Sequence, residues 1–187
     1  MGTTKRIRKR LGDAIGDQRI VRIERKLKFA DRIDGFVVLV GKRWALVARS
    51  SDGGFFDGYI AFRIRDVKRI KPDRTFESAY ARTRPEWPPR YPSALRLNST
   101  ADLLQGLGLS GALLSIQKEK ERAAMWIGTV DEVGEKYVYL HEVRPDATWH
   151  SSPLGYKLKA ITSVEVGTHY LVGLAGIAGS ADTPRTE

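Results

Sequence analysis

The chain contains no cysteine, which excludes disulfides, thiolate metal sites and cysteine nucleophiles, and suits a reducing compartment. Histidine is scarce as well. His141, His150 and His169 all fall in the C-terminal part, without a partner at metal-ligand spacing. No window approaches the roughly 20 apolar residues that span a bilayer, and the N-terminus lacks the apolar core of a secretion signal. A cytoplasmic protein with no membrane partner is the expectation.

Catalytic patterns are missing too. No nucleophile elbow and no phosphate-binding P-loop occurs. Gly106-Leu107-Gly108-Leu109-Ser110-Gly111 satisfies G-x-G-x-x-G in form. However, it follows a helical stretch and precedes a strand-like one, the reverse of the dinucleotide-binding order. The paired carboxylates Glu119 and Glu121 lie among lysines, which marks a solvated surface before a general acid and base. The sequence therefore predicts no enzyme and no cofactor.

Acidic charge is the scarcer sign: 22 Asp and Glu stand against 32 Lys and Arg, a net charge of +10. Residues 1–30 carry +7, residues 31–111 carry +5 and residues 112–187 carry −2. The basic character thus belongs to the N-terminal part, led by Lys5, Arg6, Arg8, Lys9 and Arg10. Such an arm is either a solubilising, partly disordered tail or a polyanion-binding element.

What is present is self-similarity. Val21 and Ile23 match Leu114 and Ile116, Gly35 matches Gly128, Gly41 matches Gly134, and Trp44 and Leu46 match Tyr137 and Tyr139, all at an offset of 93. At an offset of 94, Phe62 matches Tyr156, Ile64 matches Leu158, Val67 matches Ile161, Ile70 matches Val164 and Phe76 matches Tyr170. Two glycines and two aromatics held in register predict an internal duplication.

Each copy reads as about five short strands of period two with frequent β-branched residues. Gly41-Lys42-Arg43 is a turn before Trp44, and Ser51-Asp52-Gly53-Gly54 joins the third strand to the fourth. On the fourth strand, Tyr59 to Arg65, the residues Ile60, Phe62 and Ile64 take one face and Arg63 and Arg65 the other. Lys157 and Lys159 repeat that pair in the second copy. The pattern predicts a mainly β chain of two tandem five-stranded small barrels, with short helices at the linker and repeat ends.

The expected division is a basic N-terminal arm (1–18), a first barrel (19–82), a proline-rich linker with a short helix (83–111), a second barrel (112–178) and a disordered tail (179–187). The linker helix starts at Ser99-Thr100-Ala101-Asp102 and carries Leu103, Leu104 and Leu107 on its apolar side.

The second half of each copy resembles the Sm-like family, whose second motif reads I-R-G-x-x-I-x-x-I. Residues 62–70 read Phe62-Arg63-Ile64-Arg65-Asp66-Val67-Lys68-Arg69-Ile70, with Arg63 on the family's arginine; residues 156–164 run from Tyr156 to Val164 in the same pattern. Asp34-Gly35-Phe36-Val37-Val38 is similar to the glycine-bearing second strand of the first motif. The motif glycine and the Met-Asn pair that lines the family's RNA base pocket are both absent. The resemblance implies bent five-stranded barrels that bind RNA or associate edge to edge.

Two functions follow as expectations. The first is non-enzymatic binding of RNA or another nucleic acid through phosphate contacts from Arg63, Arg65, Lys68, Arg69, Lys157, Lys159 and the arm. Trp44 and Tyr59 are the candidates to stack a base. The second is a protein-interaction or assembly module, a homo-oligomer or a protein partner's platform, built from paired barrels.

Overall fold

The computed structural model describes residues 2–91, 94–118 and 124–180. Glu119, Glu121 and residues 181–187 of the predicted tail lie outside the described residues.

The N-terminal arm is a helix, α1 (Thr3–Asp17), and not a disordered tail. Its apolar residues Ile7, Leu11 and Ala14 recur at helical spacing and are all buried. They join Val37, Val47, Phe62 and Val67 in one core. The helix stops where Gln18 adopts a left-handed conformation.

Five strands follow: β1 (Val21–Arg25), β2 (Ile33–Val40), β3 (Trp44–Ser51), β4 (Phe55–Arg63) and β5 (Val67–Pro72). A single 3₁₀ turn, Ile64–Asp66, separates β4 from β5. A short helix, α2 (Glu77–Ala81), closes this part. After the linker come α3 (Thr100–Gly108), β6 (Leu114–Lys118), β7 (Trp126–Val133), β8 (Tyr137–Glu142), β9 (Leu154–Lys157), β10 (Ile161–Val166) and α4 (His169–Ala178). Another 3₁₀ turn, Leu158–Ala160, lies between β9 and β10.

All ten strands form one antiparallel sheet in the order β5-β1-β2-β3-β4-β10-β6-β7-β8-β9. The sheet is not closed, and β5 and β9 are its edges. Its two halves repeat one strand order, and β4 joins β10 over Tyr59 to Phe62 and Ser163 to Val166.

The same close approach recurs in both halves. A Cβ on Gly35 would lie 2.1 Å from the Ala48 carbonyl oxygen, and one on Gly128 would lie 2.3 Å from that of His141. Only glycine lets these strands bend so tightly against their neighbours.

The proline-rich segment does not divide the fold. Trp87 packs edge-on against Phe36 with centroids 4.9 Å apart, and Tyr91 does the same against Tyr59 at 4.9 Å. Leu95 and Leu97 enter a core shared by Trp44 and Leu46 of one half and Leu114, Ile116 and Val164 of the other. Helix α3 adds Leu103, Leu104 and Leu107, and burying each such side chain contributes about 1.5–3 kcal/mol. The G-x-G-x-x-G glycines fall at the end of this helix, where Gly108 backs onto Val130. Close packing explains Gly106 and Gly108, and a left-handed backbone with φ of +65° explains Gly111.

Among the described residues no helix is long and apolar enough to cross a membrane.

Candidate nucleic-acid interface

The β2–β3 and β7–β8 turns are held next to the two 3₁₀ turns by backbone bonds. The amide of Ile64 donates to the Arg43 carbonyl at 2.9 Å, and the amide of Leu158 donates to the Lys136 carbonyl at 2.9 Å. Each pairing is the main-chain consequence of the strand ends meeting. The side chains carried by these four turns therefore converge.

They line two adjoining clefts of about 610 and 320 Å³ that share Arg43, Thr100 and Lys159. The larger adds Lys136 and Lys157, and the smaller adds Lys42, Arg63 and Arg65. Glu135 is the sole acid among the lining residues. Six of these cations are exposed against one exposed carboxylate, and between low-dielectric walls they focus a positive potential on the cleft.

Two helix starts add to this field. Residues 99–101, at the N-terminus of α3, line both clefts through Thr100. Ser99 caps the helix by accepting from the Asp102 amide at 3.0 Å, leaving further first-turn amides without an intrahelical partner. Thr4 in the first turn of α1 lines the smaller cleft, and that turn carries Lys5 and Arg6 with no acid. Cations there oppose the helix macrodipole, a local cost that a bound anion removes.

The sequence-predicted residues have separate fates. Arg65, Lys157 and Lys159 are exposed and line the clefts. Arg63 does not face solvent as the strand alternation implied. It is 5% exposed, its Nε donates to Asp66 at 2.5 Å, and its Nη1 donates to the Lys159 carbonyl at 3.1 Å. The strand ends at Arg63, so Arg65 sits on the 3₁₀ turn and not across from it. Arg8 donates to the Lys42 carbonyl at 3.0 Å and fixes α1 against the β2–β3 turn.

Other candidates point elsewhere. Lys9 pairs with Asp13 at 2.9 Å within α1, and Arg10 donates to the Ile70 carbonyl. Lys68 and Arg69 lie on the free edge β5, where Arg69 approaches Glu24 at 3.8 Å. Trp44 is 1% exposed and packed in the core, so its ring has no face for a base. Tyr59 is half-buried against Tyr91 and donates to the Arg90 carbonyl at 2.7 Å. Burial pushes its phenol up in pKa, a shift that the bond to Arg90 partly offsets.

Lys42, Arg43 and Lys136 were not singled out from sequence, yet they bring three of the cleft cations. The signal was there: Gly41-Lys42-Arg43 and Gly134-Glu135-Lys136 are turns at the 93-residue offset, and each carries a cation.

Among the described residues no three His, Asp or Glu side chains are grouped to hold a metal ion. Compared with known proteins, the chain matches no family model, no curated protein and no solved structure.

Proposed function

We propose that this chain is a non-enzymatic binder of single-stranded nucleic acid, RNA in the first place, which grips phosphates in the cleft between its two halves. The observation that carries the reading is the convergence of Lys42, Arg43, Arg65, Lys136, Lys157 and Lys159 around the start of α3. Exposed cations on turns suit a flexible backbone of phosphates, whose recognition rests on charge more than on base edges. The buried Trp44 removes one stacking platform, so selectivity among bases is expected to be weak.

Within this proposal each half is a small Sm-like barrel. The repeated strand order, the intervening 3₁₀ turns and the equivalent glycines Gly35 and Gly128 support that reading. The arm contributes Thr4 to the lining of the smaller cleft, with Lys5 and Arg6 following it in the first turn of α1, while Arg8 fixes that helix to the Lys42 carbonyl.

The test is fluorescence anisotropy with a labelled single-stranded RNA at rising salt. Four to six phosphate contacts give a logarithmic salt slope of about −3 to −4. Binding that ignores salt, or no binding at low salt, overturns the proposal.

An assembly role is the second reading, favoured by the β4–β10 pairing, which already joins two such units edge to edge. The outer edges are unlike that junction. Edge β5 offers Lys68, Arg69, Lys71 and Pro72 where β10 has Thr162, Ser163, Glu165 and Val166, and edge β9 carries Lys157. Cations facing cations and a proline in the strand discourage further pairing. Sedimentation of the intact protein distinguishes the two readings, since an assembly module self-associates at micromolar concentration and a binder stays monomeric.

A further inference from the structure

One face of the third strand has opposite fates in the two halves. In the first half it carries Trp44 and Leu46 of β3, both buried in a core that they share with Leu95 and Leu97 of the linker. At the 93-residue offset the second half places Tyr137 and Tyr139 there, on β8. These two are 36% and 38% exposed, whereas the alternating residues Val138 and Leu140 are buried. The position that the chain covers with its own linker in one half is thus left open in the other, and it is filled by the aromatic side chain best suited to a wet surface.

The two rings lead out of the cationic cleft. Tyr137 lines the larger cleft beside Lys136 and Lys157, and Lys157 is its cross-strand partner on β9. Tyr139 is the next residue on the same side of β8 and stands opposite Gly155. A Cβ on Gly155 would lie 3.1 Å from Cε1 of Tyr139, so the glycine leaves room for the ring to settle against β9. Glu132 of β7, the partner of Tyr139 on the other side, is the acid at this end. Residues two apart on a strand are about 6.8 Å apart. That is twice the spacing of about 3.4 Å per nucleotide in a stacked strand, so a single strand drawn out of its stack sets one base on each ring.

We infer that Tyr137 and Tyr139 form a base-stacking platform for a single strand whose phosphates lie in the cleft, and this platform therefore rests on the function proposed above. Lys136 and Lys157 hold the backbone where it passes Tyr137, while Glu132 repels it beyond Tyr139 and keeps it on the Lys157 side. A tyrosine gives up few rotamers when it orders, and stacking accepts every base because every base has a π-face. The platform adds affinity for bases without selecting a sequence.

Anisotropy of the full chain with two labelled strands of equal length tests it, one a single-stranded RNA and the other an abasic strand with the same phosphates and no bases. The wild type should prefer the base-bearing strand by about fivefold or more. The double variant Tyr137→Leu with Tyr139→Leu should bind both strands alike, whereas Tyr137→Phe with Tyr139→Phe, which keeps the rings, should retain the preference. The logarithmic salt slope should stay the same in all three proteins, because no cation is lost. A preference that survives in the Leu variant, or disappears in the Phe variant, overturns the inference and leaves the cleft reading in place. A wild-type dimer in sedimentation that the Leu variant lacks, with RNA binding unchanged, overturns it in favour of a second copy on this face. Failure of the cleft reading looks different, since the wild type then binds neither strand at low salt, and that result removes the platform as well.

Discussion

The Nη1 of Arg63 donates to the main-chain carbonyl of Lys159 at 3.1 Å, and so ties the turn after β4 to the equivalent turn after β9. The same guanidinium is held by Asp66 at 2.5 Å, and both side chains are largely buried. This arginine is therefore a structural bolt beneath the cleft and not an exposed phosphate contact. Its neighbours Arg65 and Lys159 are left to face solvent.

Removing Asp66 should be costly because Arg63 would keep its charge in a buried site. Asp66→Ala is expected to destabilise the fold by about 3–5 kcal/mol, measured by urea denaturation. Asp66→Asn, which keeps an acceptor oxygen, should cost less. Equal stability of Asp66→Ala and wild type would show that the pair is not what anchors Arg63.

Gly58 sits at the β4–β10 junction with φ of +65°, and a Cβ there would lie 2.5 Å from the Gly167 carbonyl carbon. Gly58→Ala is expected to lose more than about 1 kcal/mol, from the backbone conformation and the overlap together. Gly12 in α1 has nothing within 4 Å of its would-be Cβ. Gly12→Ala should instead stabilise by about 0.5–1 kcal/mol. Opposite signs in thermal melts are the expected result.

In the cleft, Arg43→Ala and Lys157→Ala should each weaken single-stranded RNA and reduce the magnitude of the salt slope by about 0.7. Arg69→Ala and Lys71→Ala, on the free edge β5, should leave both quantities unchanged. Anisotropy across a salt series reads the difference. A uniform loss in all four variants would point to bulk charge and not to a site.

Two buried carboxylates predict an unusual pH profile. Burial raises the pKa of Glu142, which accepts from the Tyr156 hydroxyl, and Lys118 only partly opposes the shift. Burial also raises Glu165 above 4.5, against Arg49. For such groups the unfolded chain ionises first, so their stability contribution is full below about pH 4.5 and is lost as pH rises through the folded values. Asp73 behaves oppositely. Its burial favours the neutral form, but bonds from Thr75 and the Arg22 guanidinium outweigh that and hold it below 3.8. Its contribution is present above pH 3.8 and disappears as pH falls through the folded value. Tm measured from acid to neutral pH should decline on both sides, and Glu142→Gln should flatten the decline toward neutrality.

Much of the local structure was legible. Period-two alternation marked the strands, and turn chemistry at Gly41 and at Asp52-Gly53 fell where β2, β3 and β4 change direction. Ser99 and the leucines after it marked α3 and its cap. The arm was harder, because its cations drew attention from the Ile7, Leu11 and Ala14 spacing that buries one face of α1. The linker prolines suggested a break, whereas Trp87, Tyr91, Leu95 and Leu97 are apolar enough to pack the segment onto the sheet.

The sequence by itself determined the strands and α3, since alternation, glycines and caps act over a few residues. Only the tertiary structure decided which equivalent side chains are free. Arg63 and Lys157 hold matching positions at the ends of β4 and β9, yet Arg63 is buried and Lys157 is exposed. The reason is neighbourhood: β4 is covered by β10, whose preceding turn supplies the Lys159 carbonyl, while β9 is an open edge. Strand periodicity is the same in both halves, and it cannot say which strand another strand will cover.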